Sequence, residues 1–396
     1  MTAPIDCIPT LDYEIFGNGL GDVRRDVIEP AHRILDLCNT HGAKMTIFFE
    51  VAEYWAFERY DAPLRARLGY SPYEEMRKQA GDAIAHGHDV QLHLHPQWID
   101  AAYEDNTWRL NTSWWRLADL PDGPKDRDGM ASVAGMLHRG KNTLEEMLRP
   151  VKADYECICL RAGGFCAQPS QHIIAAMKEL GLRGDSSVVK GYRKAVAATG
   201  VTLVDYTHIT TEKTAWWTTG DELTAEGKPG EHVLELPVSS ETRPYWTNLR
   251  WTTVRAAIRR RQSERLGCAA RSEAKKFSSV PSLRAALQRA LTSQAIMFDY
   301  CKLSSRDMLR RVQKHARRGG GPLVLIGHTK DFVNDMHFER FLARMREDGH
   351  TRFRTMSEVV QDMSDALTAQ AGCEAAQPVP LQPAGAARIH DPESTA

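Results

Sequence analysis

Six short apolar runs constrain this chain more than any other feature: "DCIPTLDY", "KMTIFFEV", "HDVQLHLH", "ECICLRAG", "HVLELPVS" and "PLVLIGHT". Runs of this length bounded by turn residues read as buried strands. Helix-like stretches fall between most of them, and strands alternating with helices lead to a mainly parallel α/β sheet or barrel. The helices carry their own start and stop signals. "SPYEEMRKQAGDAIAHG" opens on Ser71 and Pro72 as cap and first-turn proline and ends near Gly87, and "PSQHIIAAMKELG" stops at Gly181.

Two stretches interrupt the rhythm. Residues 100–129 are polar and rich in tryptophan, and read as a long loop or excursion above one strand end. Residues 240–305 form a second insertion whose front, 250–276, is strongly basic, including Arg259, Arg260 and Arg261. That segment reads either as a solvated helical face or as a contact for an anionic partner. From 367 to 396 the chain is rich in Ala, Pro and Gln, the composition of a disordered tail. The folded unit is therefore expected over residues 1–366.

Fifty-one basic residues balance fifty-one acidic ones, so no whole-molecule field draws the protein onto nucleic acid or an anionic membrane. The eight cysteines lack C-x-x-C spacing and read as buried free thiols. There is no signal-peptide pattern and no apolar run of transmembrane length, so a cytoplasmic protein with no transmembrane segment is expected. Oligomeric state is left open.

Four strand ends carry polar groups. Residues i and i+2 of a strand point to one side, so His93 and His95 share a face, as do Asp12 and Glu14 of "TLDYE". Two acids on one face of a buried strand call for a cation, either a salt-bridge network or a divalent metal with a nearby arginine. Arg161 in "CLRAGGF" and His328 in "LIGHTKDF" stand at two further strand ends. In (β/α) barrels the active site lies at the C-terminal strand ends.

In these blocks the chain resembles the polysaccharide deacetylases of the NodB-homology group, carbohydrate esterase family 4. "TLDYE", "KMTIFFEVAEY", "GHDVQLHLH", "LRAGGF", "GLRGDSSVV" and "VLIGHTK" match that family's blocks in order. "HDVQLHLHPQW" is similar to strings in a branch associated with lipopolysaccharide biosynthesis. The resemblance implies a distorted (β/α) barrel of about seven strands. It makes Asp12 the general base, Glu14 and His93 metal ligands, and His328 the general acid, with Arg161 holding Asp12 and Asp185 orienting His328. The chain departs from the pattern in having Asp-Tyr-Glu for Asp-Asp, and Gln97 where a second histidine ligand is usual, so that His95 substitutes or fewer ligands hold the ion.

The implied activity is removal of an acetyl group from an N-acetylated sugar or glycan, with a divalent metal, zinc above other transition metals, as cofactor. Two alternatives stand beside it: an amide hydrolase with the same metal mechanism on a non-sugar substrate, and a non-catalytic barrel that binds a glycan or polyanion. No G-x-S-x-G elbow supports a serine hydrolase, and "RRGGGP" lacks the ending of a phosphate loop. Trp98, Trp108, Trp114 and Trp115 fit either sugar stacking or packing of the first insertion.

Overall fold

The computed structural model describes residues 4–111, 113–122, 132–195, 201–209, 212–244 and 293–375. Seven parallel strands form its centre: β1 (Ile5–Tyr13), β2 (Thr46–Glu50), β3 (Asp89–Leu94), β4 (Cys159–Ala162), β5 (Gly184–Asp185), β6 (Leu234–Glu235) and β7 (Gly321–His328). They lie in the order β6-β5-β4-β3-β2-β1-β7, with Trp216–Trp217 antiparallel to β6 and Thr351–Phe353 beside the start of β1.

The two ends of this sheet meet. Val238, just past β6, bridges both Val189 and Val324, and Asp299 bridges Ile326. The sheet is thus a distorted (β/α) barrel whose seam is fastened by single residues, in contrast to the continuous β1–β7 ladder from Ile5–Gly321 to Asp12–His328. Pro9, which has no N–H to give, sits in β1 between the residues paired with Thr351–Phe353 and those paired with β2.

The helices that carry the chain between strands are α1 (Glu29–His41), α2 (Val51–Arg59), α3 (Asp61–Leu68), α4 (Pro72–Ala85), α5 (Val133–Leu148), α6 (Gln171–Leu180), α7 (Ser305–Arg317), α8 (Asp335–Asp348) and α9 (Met356–Ala375). The expected signals act where the sequence puts them. Ser71 Oγ accepts the Glu74 N–H at 3.1 Å, and Gly181 closes α6 at φ 72°. α4 and α5 pack on β3, while α9 packs on β3 and β5.

The first insertion contains a hairpin, Ala102–Glu104 with Thr107–Arg109. Trp98 and Trp108 are spent on holding it down, with ring centroids 5.2 Å apart and Phe57 against both. The second insertion leaves and rejoins the barrel through the paired strands Ser240–Pro244 and Ser293–Met297; the basic segment 250–276 lies outside the described residues. α9 runs to Ala375, so it takes in the first residues of the stretch whose composition suggests a tail, and 376–396 lie outside the description. Cys7, Cys38, Cys157, Cys159, Cys166 and Cys301 are free thiols, all but Cys301 buried. Among the described residues no helix is long and apolar enough to cross a membrane.

Candidate functional site

Strand register alone gathers the polar groups. Asp12 pairs with His328 across β1 and β7, Glu50 with His93 across β2 and β3, and His93 with Arg161 across β3 and β4. Asp185 pairs in turn with Glu235 across β5 and β6. All seven strands therefore carry, at their last or next-to-last residue and at the same mouth of the barrel, a buried or half-buried polar side chain.

Arg161 is fully buried, and its Nη1 donates to Asp12 Oδ1 at 2.6 Å and to Thr10 Oγ1 at 2.9 Å. Nε and Nη2 donate to the carbonyl and hydroxyl of Ser186, and the guanidinium lies 4.0 Å above the Phe48 ring. Burial pushes the Asp12 carboxyl up, but Arg161, with His93 and His328, outweighs it and holds the group below the ordinary carboxylate range. His328 Nε2 stands 3.4 Å from Asp12 Oδ2. Burial, helped by Lys302 and Lys330 and opposed by Asp12, lowers the His328 pKa below its usual value. An ionised acid thus faces a neutral imidazole.

Asp185 does not hydrogen-bond His328. Its oxygens accept the Ser187 N–H at 2.8 Å and the Ser187 hydroxyl at 3.0 Å, beside Glu235. His328 Nδ1 has no hydrogen-bond partner among the described residues, so the orienting role implied for Asp185 has no contact behind it. Burial and the adjacent Asp185 push the Glu235 carboxyl well above its ordinary range.

A second group lies beside the first. Glu14, Glu50, His93 and His95 are all buried, and one ligand atom from each falls within 4.8 Å of the others. His93 Nδ1 meets the Arg161 carbonyl at 2.8 Å, which fixes the tautomer and turns Nε2 toward Glu14 Oε2 at 3.5 Å. That Nε2 is buried and has no hydrogen-bond partner among the described residues. His95 Nδ1 lies 3.1 Å from Glu14 Oε2 and 2.7 Å from Glu50 Oε2. Bonds of 2.0–2.1 Å to a tetrahedral ion put neighbouring donors about 3.4 Å apart. The separations from Glu14 Oε2 to the two histidine nitrogens, 3.1 and 3.5 Å, therefore fit a divalent cation, while Glu50 at 2.7 Å hydrogen-bonds His95. His93 is the most telling member, because its buried Nε2 faces a carboxylate oxygen 3.5 Å away and has no hydrogen-bond partner among the described residues.

Gly163 makes the packing possible: a Cβ there would sit 2.5 Å from the His95 ring and 2.6 Å from the Leu94 carbonyl. Glu50 was not apparent in the sequence as a site residue. Its Oε1 accepts the Ala52 N–H at 3.0 Å, capping α2, and this leaves Oε2 for His95. Lys330 was likewise unforeseen; its ammonium lies 2.7 Å from Glu14 Oε1. Burial raises the Glu14 pKa, but Lys330 and then His95 overcome this and hold it well below the usual range. Gln97 is fully buried, with neither amide atom hydrogen-bonded among the described residues.

Burial lowers the His93 pKa, but Asp12 and Glu14 outweigh it and carry the group up to about 9 without a metal. A folded-state pKa above the unfolded value of about 6.5 gives stability that is complete below that pH and lost as pH rises through the folded pKa. Metal-free protein is accordingly expected to melt at progressively lower temperature from about pH 6.5 to pH 9. His93→Gln is expected to lack that component. Thermal melts of chelator-treated protein across this range check it, and a profile shared by the two proteins refutes it.

No family model matches the chain, and no curated protein matches it. Among solved structures, one is named as a polysaccharide deacetylase from Mycobacterium smegmatis (14% identity, covering 98% of this chain and 98% of that one, TM-score 0.45). Another is named as a glycoside hydrolase/deacetylase from Parabacteroides distasonis (10% identity, 91% of this chain and 71% of that one, TM-score 0.47). Both of those names are provisional assignments. A third is 4-alpha-glucanotransferase from Thermococcus litoralis (13% identity, 91% of this chain and 40% of that one, TM-score 0.40). At such identities and TM-scores these likenesses add nothing to what the side chains show about chemistry.

Proposed function

We propose that this protein is a metal-dependent hydrolase that removes an acetyl group from an N-acetylated sugar. The observation that carries the reading is His93: a buried imidazole anchored through Nδ1 turns onto Glu14 an Nε2 that has no hydrogen-bond partner among the described residues, beside His95 and Glu50. A zinc-type ion held by Glu14, His93 and His95, with Glu50 orienting His95, would keep a position open for water, polarise the acyl carbonyl and lower the pKa of that water toward about 7. Asp12, ionised by its contact with Arg161, accepts the proton of the attacking water. His328, neutral at rest and 3.4 Å away, takes that proton from Asp12 and delivers it to the departing amine. The acid form of His328 is thus generated within the turnover, and Asp185 is not needed to maintain it.

The sugar as substrate, the lipopolysaccharide pathway as context, zinc as the ion and the cytoplasm as location rest on the sequence blocks. Trp98 and Trp108 do not serve as sugar platforms in this reading, because they pack the first insertion. One observation favours the ion-free glycan-binding alternative: Lys330 already supplies Glu14 with a positive charge.

Elemental analysis and an acetate-release assay separate these readings. The expected result is about one divalent metal per chain, with acetate released from N-acetylated amino sugars in preference to cyclic or linear amides. Release should stop on chelation and return with added metal. Protein that retains no metal after reconstitution refutes the metal mechanism, and preference for the non-sugar amides transfers it to a different substrate.

A further inference from the structure

Glu14 is held by its two oxygens in two different ways. Oε1 accepts from the Lys330 ammonium at 2.7 Å, while Oε2 faces His95 at 3.1 Å and His93 at 3.5 Å. Lys330 is itself fixed, donating also to the Ile15 carbonyl at 3.1 Å, and its neighbour Thr329 donates to the Glu14 carbonyl at 3.2 Å. Glu50 shows the same division by another means, with Oε1 spent on the Ala52 N–H and Oε2 on His95. Glu14 therefore offers the centre one oxygen, and with His93 and His95 the set amounts to two nitrogens and one oxygen, while Glu50 orients His95.

That number matters because cations differ in what they ask of a carboxylate. Zinc is satisfied by four donors, here three side chains and a water, whereas manganese and calcium favour six or more ligands, most of them oxygen, and readily take both oxygens of one carboxylate. We propose that Lys330 is a positioning residue that restricts Glu14 to single-oxygen donation and so makes the centre selective for a small four-coordinate cation over larger oxygen-seeking ones. This rests on the reading that the centre holds a metal. The ammonium also repels any dication, but that effect bears on all divalent ions alike. The ratio of affinities therefore isolates the geometric contribution.

The test is a competition titration of metal-free wild type, Lys330→Met and Lys330→Arg against a chromophoric chelator, with Zn2+ and Mn2+ each used alone. In Lys330→Met, Mn2+ is expected to gain affinity roughly tenfold more than Zn2+ does, because Glu14 becomes free to chelate with both oxygens. Lys330→Arg, which keeps a cationic donor on Oε1, is expected to retain the wild-type ratio. Lys330→Leu, which also lacks a donor, replaces Lys330→Met if the latter does not fold, with the same direction expected. An unchanged Zn2+/Mn2+ ratio in the neutral variant, while wild type binds Zn2+, overturns the inference and leaves the metal reading standing. Absence of Zn2+ binding by wild type overturns both.

Discussion

Asp12→Asn is expected to lower kcat for acetate release by about 10²–10⁴ while leaving the metal content of the protein unchanged. The amide keeps an oxygen for Arg161 but cannot receive a proton, and Arg161 retains three other acceptors, one on Thr10 and two on Ser186. His328→Ala is expected to cost a similar factor, because Asp12 and the imidazole 3.4 Å away pass the same proton. If they act as one unit, the double variant is expected to lose little more than either single one. Steady-state kinetics with metal analysis and thermal melts of each variant check this; full activity in Asp12→Asn removes its role as base.

The largest effect on stability is expected from Arg161→Leu. The guanidinium is fully buried, and its removal leaves Asp12, itself 3% exposed, without its main counter-charge. Breaking a buried ion pair from one side costs about 3–5 kcal/mol. The pH dependence supplies a second reading. In the wild type the Asp12 pKa is depressed below its unfolded value, so its contribution is present above about pH 4 and lost as pH falls through the folded pKa. Without Arg161, burial dominates and raises that pKa, so acidification then relieves the variant. Its deficit against wild type, measured by urea unfolding, is expected to narrow from pH 7 to pH 5, and a constant deficit contradicts this account.

How much of this was legible in the sequence depends on how far each residue acts from its own strand. Asp12 with Glu14 and His93 with His95 were visible as pairs because alternation on a strand is a local property, as were the longer strands that carry them. Glu50 was not, since a lone glutamate after "TIFF" reads equally as a helix start, and it does cap α2; only the pairing of β2 with β3 sets it beside His93. Lys330 reaches Glu14 across 316 residues of sequence, a contact no local pattern encodes. β5 is two residues, too short to show any period, whereas β6 lies in the run "HVLELPVS", where Glu235 is a lone acid between leucines with no second polar group on its face to mark it. Asp185 was marked by the family resemblance as the partner of His328, but Ser187, two residues on, takes up its oxygens. The tryptophans fitted two readings, and for Trp98 and Trp108 contact with Phe57 decides in favour of packing.

Gly163 has a consequence beyond this molecule. Histidines recur freely in strands, whereas a position that must lack a side chain so that an imidazole can lie against the neighbouring backbone tolerates no substitute without displacing the ring. In uncharacterised chains carrying alternate histidines, the residue two places after the arginine is thus the more discriminating thing to inspect. A bulkier amino acid there signals that the second imidazole points somewhere else.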